Sequence, residues 1–309
     1  MDLDTLRTFL AVHRAQSFSG AVGVLHRTQP ALSRRIALLE RELGAPVFER
    51  TPGGVVLSEA GRALLPHAER AVAAMQDAAH AVRALGTATA GSVALAVVGT
   101  LAGRALAGVL RRFAADHPRV ELTLRTARSA EVSELVRRGT ATLGVRYERD
   151  RSPDLEVEEF GAEALRVVCA PEHPLAGREI AALASLRHER WLAFPEIPGQ
   201  RELAASHVFG VFLAHGLGEV DWTPVDSLTA QKRLVEAGFG LALLPASNAE
   251  EELATGTIAM VHVADLRAGL PVVAVTRRGG FLSVAAQRLR ELFRHEYTAQ
   301  ATSRDATDR

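Results

Sequence analysis

Thr28, Gln29, Pro30, Ser33, Arg34 and Arg35 fall within eight residues. Amide and guanidinium groups crowded in this way suit hydrogen bonding to base edges in a DNA groove, where Gln pairs with adenine and Arg with guanine. Gln29, Ser33 and Arg34 are therefore the groove-facing candidates, with Pro30 holding the first turn of their helix. Thr28, Arg35 and the later Arg50 suit phosphate contacts, which fix register without reading sequence. An isolated arginine pair is ordinarily a solvated surface balanced by acids such as Glu40 or Glu42; within this constellation the nucleic-acid reading is preferred.

Several elements must position these side chains. Leu3, Leu6, Phe9, Leu10 and His13 recur at helical spacing and predict a helix over 3–15. Ser17 suits the N-cap of a second helix over 18–25. A third, over 29–43, would bury Leu32, Ile36, Leu39 and Leu43 and end at Gly44, with Pro46 beyond. Val47-Phe48 and Val55-Val56-Leu57 flank Thr51-Pro52-Gly53-Gly54, the pattern of a β-hairpin wing. Ser58 then caps a long helix reaching about Leu85, with Pro66 inside it as an expected kink. Ala68, Val72, Met75, Ala79 and Val82 alternate steps of four and three, a heptad-like seam suited to pairing with a second chain. The alternative is that this face lies on the domain's own core. Gly86 to Gly91 is small and polar, a natural hinge.

Past the hinge the pattern alternates between strands and helices. Strands are predicted at Val93–Val98, Val120–Arg125, Thr142–Arg146, Leu165–Ala170, Trp191–Phe194, Val220–Val225, Leu241–Leu244, Ile258–Val263 and Val272–Thr276. Helices are predicted at 101–116, 130–138, 201–215, 227–237 and 282–296. This alternation implies parallel sheets with helices on both faces, in one sheet or two subdomains. The polar TAQATSRDATDR at 298–309 reads as disordered, with the tail itself placed at 301–309.

Bulk properties narrow the function classes. A chain of 309 residues suggests two or three compact units, and its 48% hydrophobic and 23% charged content is that of a globular protein. No apolar run approaches a membrane span and the N-terminus has no secretion pattern, so a cytoplasmic location is expected. The single Cys169 fits a reducing compartment, and its apolar strand VVCAP favours burial over redox sensing. Net charge is zero, and the first 60 residues carry seven Arg against six Asp or Glu, so one head has little electrostatic grip on DNA. No H-E-x-x-H, Cys-x-x-Cys, G-x-S-x-G or Walker loop is present, and neither an enzymatic role nor a metal or other cofactor is expected. His207 and His215 stand eight apart without acid or thiolate company, and Gly238-Phe239-Gly240 reads as a helix end rather than a dinucleotide loop.

Taken in order, Leu6-Arg7-Thr8-Phe9, Ser17-Phe18-Ser19, Leu25, Thr28-Gln29-Pro30-Ala31, Ser33, Ile36, Leu39-Glu40, Leu43-Gly44, Phe48-Glu49-Arg50 and Leu57-Ser58-Glu59-Ala60-Gly61 resemble the LysR-type transcriptional regulators. The likeness continues through His173-Pro174-Leu175, Val235-Glu236-Ala237-Gly238-Phe239-Gly240 and Leu244-Pro245, covering nearly the whole chain. It implies an α/β protein with an N-terminal winged helix-turn-helix at 1–58, a linker and dimerisation helix at 59–86, and a hinge at 87–91. It also implies a periplasmic-binding-protein-like effector domain at 92–300, with lobe I at 92–161 and 267–300 and lobe II at 162–266. The implied partners are promoter DNA, a small-molecule effector and further copies of the chain, as homodimer or homotetramer.

In that family Gly99-Thr100 would be the commonest ligand position, although Thr100 reads equally as an N-cap. Arg128, Ser129, Phe194, Arg201, Ser227 and Thr229 are further effector-binding candidates. Arg128 and Arg201 would suit a carboxylate, which makes an organic anion the ligand class considered, though each reads as readily as a surface cation. Two departures from the family stand out. Ala21-Val22 stands where the family has an alanine pair, and the Gly23 that follows costs about 1 kcal/mol of helix propensity. The strand near 142–146, where the family often carries an aspartate, reads Thr142-Leu143-Gly144-Val145-Arg146 here. Alternatives of a solute-binding protein or a small α/β enzyme leave the first 60 residues unexplained.

Overall fold

The computed structural model describes residues 1–84, 91–194 and 203–307. The chain divides into two compact units, residues 1–86 with 137–140 and 279–281 in one and the remainder in the other. The first holds helices α1 (Leu3–Ala15), α2 (Phe18–Leu25) and α3 (Gln29–Leu43), strands β1 (Phe48–Thr51) and β2 (Gly54–Leu57), and helix α4 (Glu59–Ala84). Each boundary has a local cause. Asp2 accepts from the Thr5 amide at 2.7 Å to start α1, and Ser17 accepts from the Gly20 amide at 3.2 Å to start α2. Gly44, at φ 70°, ends α3 in the left-handed region. Leu6, Phe9, Leu10, Ile36, Leu39 and Val47 close the core. Leu43, expected inside, is exposed, because it is the last residue of α3 and lies beyond the wing that covers Leu39.

Helix α4 runs unbroken through Pro66. Ser58 accepts from the Gly61 amide at 3.0 Å and donates to the Pro46 carbonyl, fastening the helix start to the chain entering the wing. The approach is close: a Cβ on Gly61 would stand 2.1 Å from the Val47 carbonyl oxygen. The heptad-like seam divides in two. Ala68 and Val72 are buried in this unit's own core, because α4 crosses α1 at that height. Met75, Ala79 and Val82 remain exposed.

The second unit contains β3 (Gly91–Val98), α5 (Arg104–Asp116), β4 (Val120–Ala127), α6 (Ser129–Arg137), β5 (Leu143–Tyr147), β6 (Leu155–Cys169), β7 (Glu179–Ile180) and β8 (Arg190–Ala193). It continues through α7 (Leu203–Ala214), β9 (Asp221–Pro224), α8 (Leu228–Glu236), β10 (Leu241–Pro245), α9 (Ala246–Thr255), β11 (Ala259–Val263), β12 (Gly269–Arg277) and α10 (Val284–Thr307). Gly91 opens β3, and the rest of the expected hinge lies outside the described residues.

The sheets are mixed rather than parallel. One runs β4-β3-β5-β12-β6, and in it β3, β4 and β5 are parallel while β12 is antiparallel to both β5 and β6. The other runs β7-β11-β6-β10-β8-β9, with β10 and β11 antiparallel to β6. Strand β6 is 15 residues long and belongs to both, so the expected lobe boundary at 161/162 falls inside a strand. A register shift between Val272 and Val273 leaves Phe160 without a partner on β12, and the next residue, Gly161, has φ 142°. One apolar core extends through both sheets, from Val93, Leu95 and Phe113 to Trp191, Phe212 and Leu241.

Two helices depart from expectation. Helix α9 stands where no helix is predicted, because its polar ASNAEEELAT shows little apolar stripe. Helix α10 continues as far as Thr307, into the segment expected to be disordered; alanine, glutamine and arginine there are good helix formers. Among the described residues, no helix is long and apolar enough to cross a membrane.

Candidate functional site

Helix α3 presents its first turn to solvent. Thr28, Gln29, Pro30, Arg34 and Arg50 are exposed, and Ser33 and Arg35 half-buried. The two arginines differ in their surroundings. Arg35 reaches back to α1 and stands 3.6 Å from both Asp2 and Asp4, while Arg27 stands 3.2 Å from Asp4. Arg34 has no acidic partner among the described residues. The acids considered as alternative partners are occupied elsewhere. Glu42 pairs with the N-terminal amine, and Glu40 accepts from the Val47 amide at 2.9 Å and the Phe48 amide at 3.4 Å. Ser19 donates to Gln29 Oε1 at 3.3 Å, which leaves the Gln29 amide NH2 to face outward as a donor. The turn between α2 and α3 opens at His26, with φ 49°. A free guanidinium and a steered amide five residues apart on α3 form a surface able to contact bases, with Arg50 on the adjacent wing.

The second unit holds a cavity of about 460 Å³, counting its open mouth. Thr100 and Phe194, both candidates from the sequence, line it together with Tyr147, Trp222, Leu228 and Gln231, closed by Val208, Leu243 and Pro245. Arg128 and Ser129 do not line it: the Arg128 amide donates to Glu131 at 3.0 Å in a cap of α6, and Ser129 is fully buried. Ser227 and Thr229 are exposed and do not line it either; Ser227 caps α8 through the Ala230 amide at 3.4 Å. Arg201 lies outside the described residues.

Behind the cavity wall is a polar cluster that the sequence did not disclose. Tyr147 donates to Glu163 at 2.9 Å, and Ser247, in the first turn of α9, donates to the same carboxylate at 2.9 and 3.0 Å. Glu163 is only 1% exposed. Burial and the neighbouring carboxylate hold the Tyr147 phenol well above its ordinary pKa, so it stays a neutral donor. Gln231 is equally buried and donates through Nε2 to the Leu192 carbonyl, while its Oε1 has no hydrogen-bond partner. One signal was available for it: Leu228, Gln231 and Val235 share the inward stripe of α8, and an amide in an apolar stripe is unusual.

The remaining candidates resolve individually. His207 pairs with Glu148 at 2.6 Å, whereas His215 meets the Val211 and Asp265 carbonyls, so the two histidines do not share a partner. Cys169 is buried, and that burial pushes its thiol up to about 11. Arg146 is buried at the end of β5. Its guanidinium donates to Ser133 at 2.6 Å, to Asp150 at 3.1 Å and to the Tyr147 carbonyl at 3.0 Å.

Comparison with known proteins matches residues 3–62 to the family described as bacterial regulatory helix-turn-helix protein, lysR family. Residues 86–298 match the LysR substrate binding domain. The regulator CfxR of Cupriavidus necator is 31% identical over 85% of this chain and 82% of its own. The RuBisCO operon transcriptional regulator of Allochromatium vinosum is 30% identical over 94% and 95%. Among solved structures, full-length CbnR complexed with its target DNA superposes with TM-score 0.64 at 26% identity, covering 96% of this chain and all of that one.

Proposed function

The chain belongs to the LysR family of transcriptional regulators, with a helix-turn-helix DNA-binding domain and an effector-binding domain, and from that premise we propose which residues perform each task. Gln29, Ser33 and Arg34 read bases in the major groove, and Thr28, Arg35 and Arg50 hold phosphates. The observation that carries this reading is the exposed N-terminal half of α3, where Arg34 is unpaired among the described residues and Ser19 steers Gln29. Met75, Ala79 and Val82, the part of the seam still exposed, pair the linker helices of two chains. The cavity lined by Thr100, Tyr147, Trp222 and Gln231 receives the effector. The protein works on DNA in the cytoplasm and catalyses no reaction; its chemistry is binding at two sites and coupling between them.

Fluorescence anisotropy with duplex DNA from upstream of its own gene tests the DNA face. Arg34→Ala should weaken binding and make the slope of log affinity against log salt shallower by about 1, the effect of one fewer cation displacing counterions from the duplex. Unchanged affinity and slope would remove Arg34 from the interface.

A further inference from the structure

We propose that the effector is an uncharged, ring-sized molecule bearing a hydrogen-bond donor, held by Gln231, rather than an organic anion. The inference rests on the cavity being the effector site and adds the chemistry of what enters it. The Leu192 carbonyl can only accept, so the Gln231 amide must turn its NH2 toward it. That fixes Oε1 as a buried acceptor without a partner, on a side chain 1% exposed that lines the cavity. Leaving such an acceptor unmatched is costly, and a ligand N–H or O–H removes the cost.

Tyr147 points the same way. Its proton is committed to Glu163, so toward the cavity its oxygen offers a lone pair, which meets the Thr100 hydroxyl. Glu163 itself accepts from both Tyr147 and Ser247, which keeps the phenol proton turned toward that carboxylate. Among the described residues lining the cavity there is no Arg, Lys or His to offset an anion. The rest of the wall suits a flat apolar ring. Trp222 lies 5.4 Å from Phe212 at 84° and 6.2 Å from Phe209 at 89°, an edge-to-face cluster that holds the indole rigid, and Phe194 and Leu228 complete the surface.

Benzamide and benzoate are matched in shape and differ in donor and charge, so calorimetry of the full-length protein with each separates the alternatives. Benzamide should bind at least tenfold more tightly than benzoate. Gln231→Met, which keeps the volume and removes the acceptor, should bring the two within about threefold of each other by weakening benzamide. Val208→Trp, which fills the cavity and leaves Gln231 intact, should abolish benzamide binding; it also stands in if Gln231→Met does not fold. A preference for benzoate that disappears in Arg201→Ala and in Val208→Trp would overturn the inference while leaving the cavity as the effector site. Binding of either compound that is indifferent to Val208→Trp would overturn both.

Discussion

Arg146 has the side chain whose neighbours matter most to its own survival in the fold. It is almost fully buried, and the Asp150 carboxylate at 3.1 Å supplies the opposite charge. Removing one member of a buried pair strands the other, whereas removing the charge altogether can be nearly neutral. Asp150→Ala should therefore cost about 3 kcal/mol in urea unfolding, and replacing both charges together, Arg146→Met with Asp150→Leu, clearly less. The opposite order would mean that Asp150 does not offset the guanidinium. Cys169 is the other residue with a definite expectation. With its thiol raised to about 11, the folded protein should leave Ellman's reagent unreacted at pH 8 and react fully once unfolded. The sign for stability follows. An unfolded thiol ionises near 9 while the buried one stays protonated to about 11, so its contribution is complete below pH 9 and is lost between 9 and 11. Rapid native labelling at pH 8 would count against burial as the controlling effect.

At the level of elements, α2 contains a removable weakness. Gly23 sits in the helix interior with φ outside the left-handed region, and a Cβ added there would meet nothing within 4 Å. Gly23→Ala should stabilise the protein by about 0.5–1 kcal/mol through helix propensity alone; a destabilised variant would show that the glycine serves packing or strain relief that the geometry does not reveal. The three short helices and the wing were legible in the sequence because each carries its own punctuation: Ser17, Gly44, Pro46, Ser58 and a steady apolar period. Helix α9 and the first ten residues of β6 were not. Their residues, rich in Glu and Ala, take their conformation from neighbours across the sheet rather than from local pattern. The cavity was half legible for a related reason. Thr100 and Phe194 follow strand ends, where ligands are expected, but Tyr147, Trp222 and Gln231 meet there only through tertiary packing. The seam on α4 misled in part because a heptad step is the same whether the far side is a second chain or α1.

For the whole molecule, an effector that alters DNA binding must feel the DNA in return. Whatever factor benzamide or another bound compound imposes on operator affinity, saturating operator DNA must impose on that compound's affinity. Titrating the compound with and without the duplex checks this, and unequal factors would mean that a third equilibrium, such as assembly of further copies, takes part. The form of the movement is constrained by β6. A periplasmic-binding-type cleft is usually imagined as two halves on slack connectors, but here an unbroken strand is hydrogen-bonded into both sheets, and Phe160 bulges beside the one left-handed glycine within it. The domain should thus behave as a torsion bar. Ligand binding would then twist β6 along its length, and release would let it recoil. Such a device transmits small rotations faithfully and recoils without a separate resetting step.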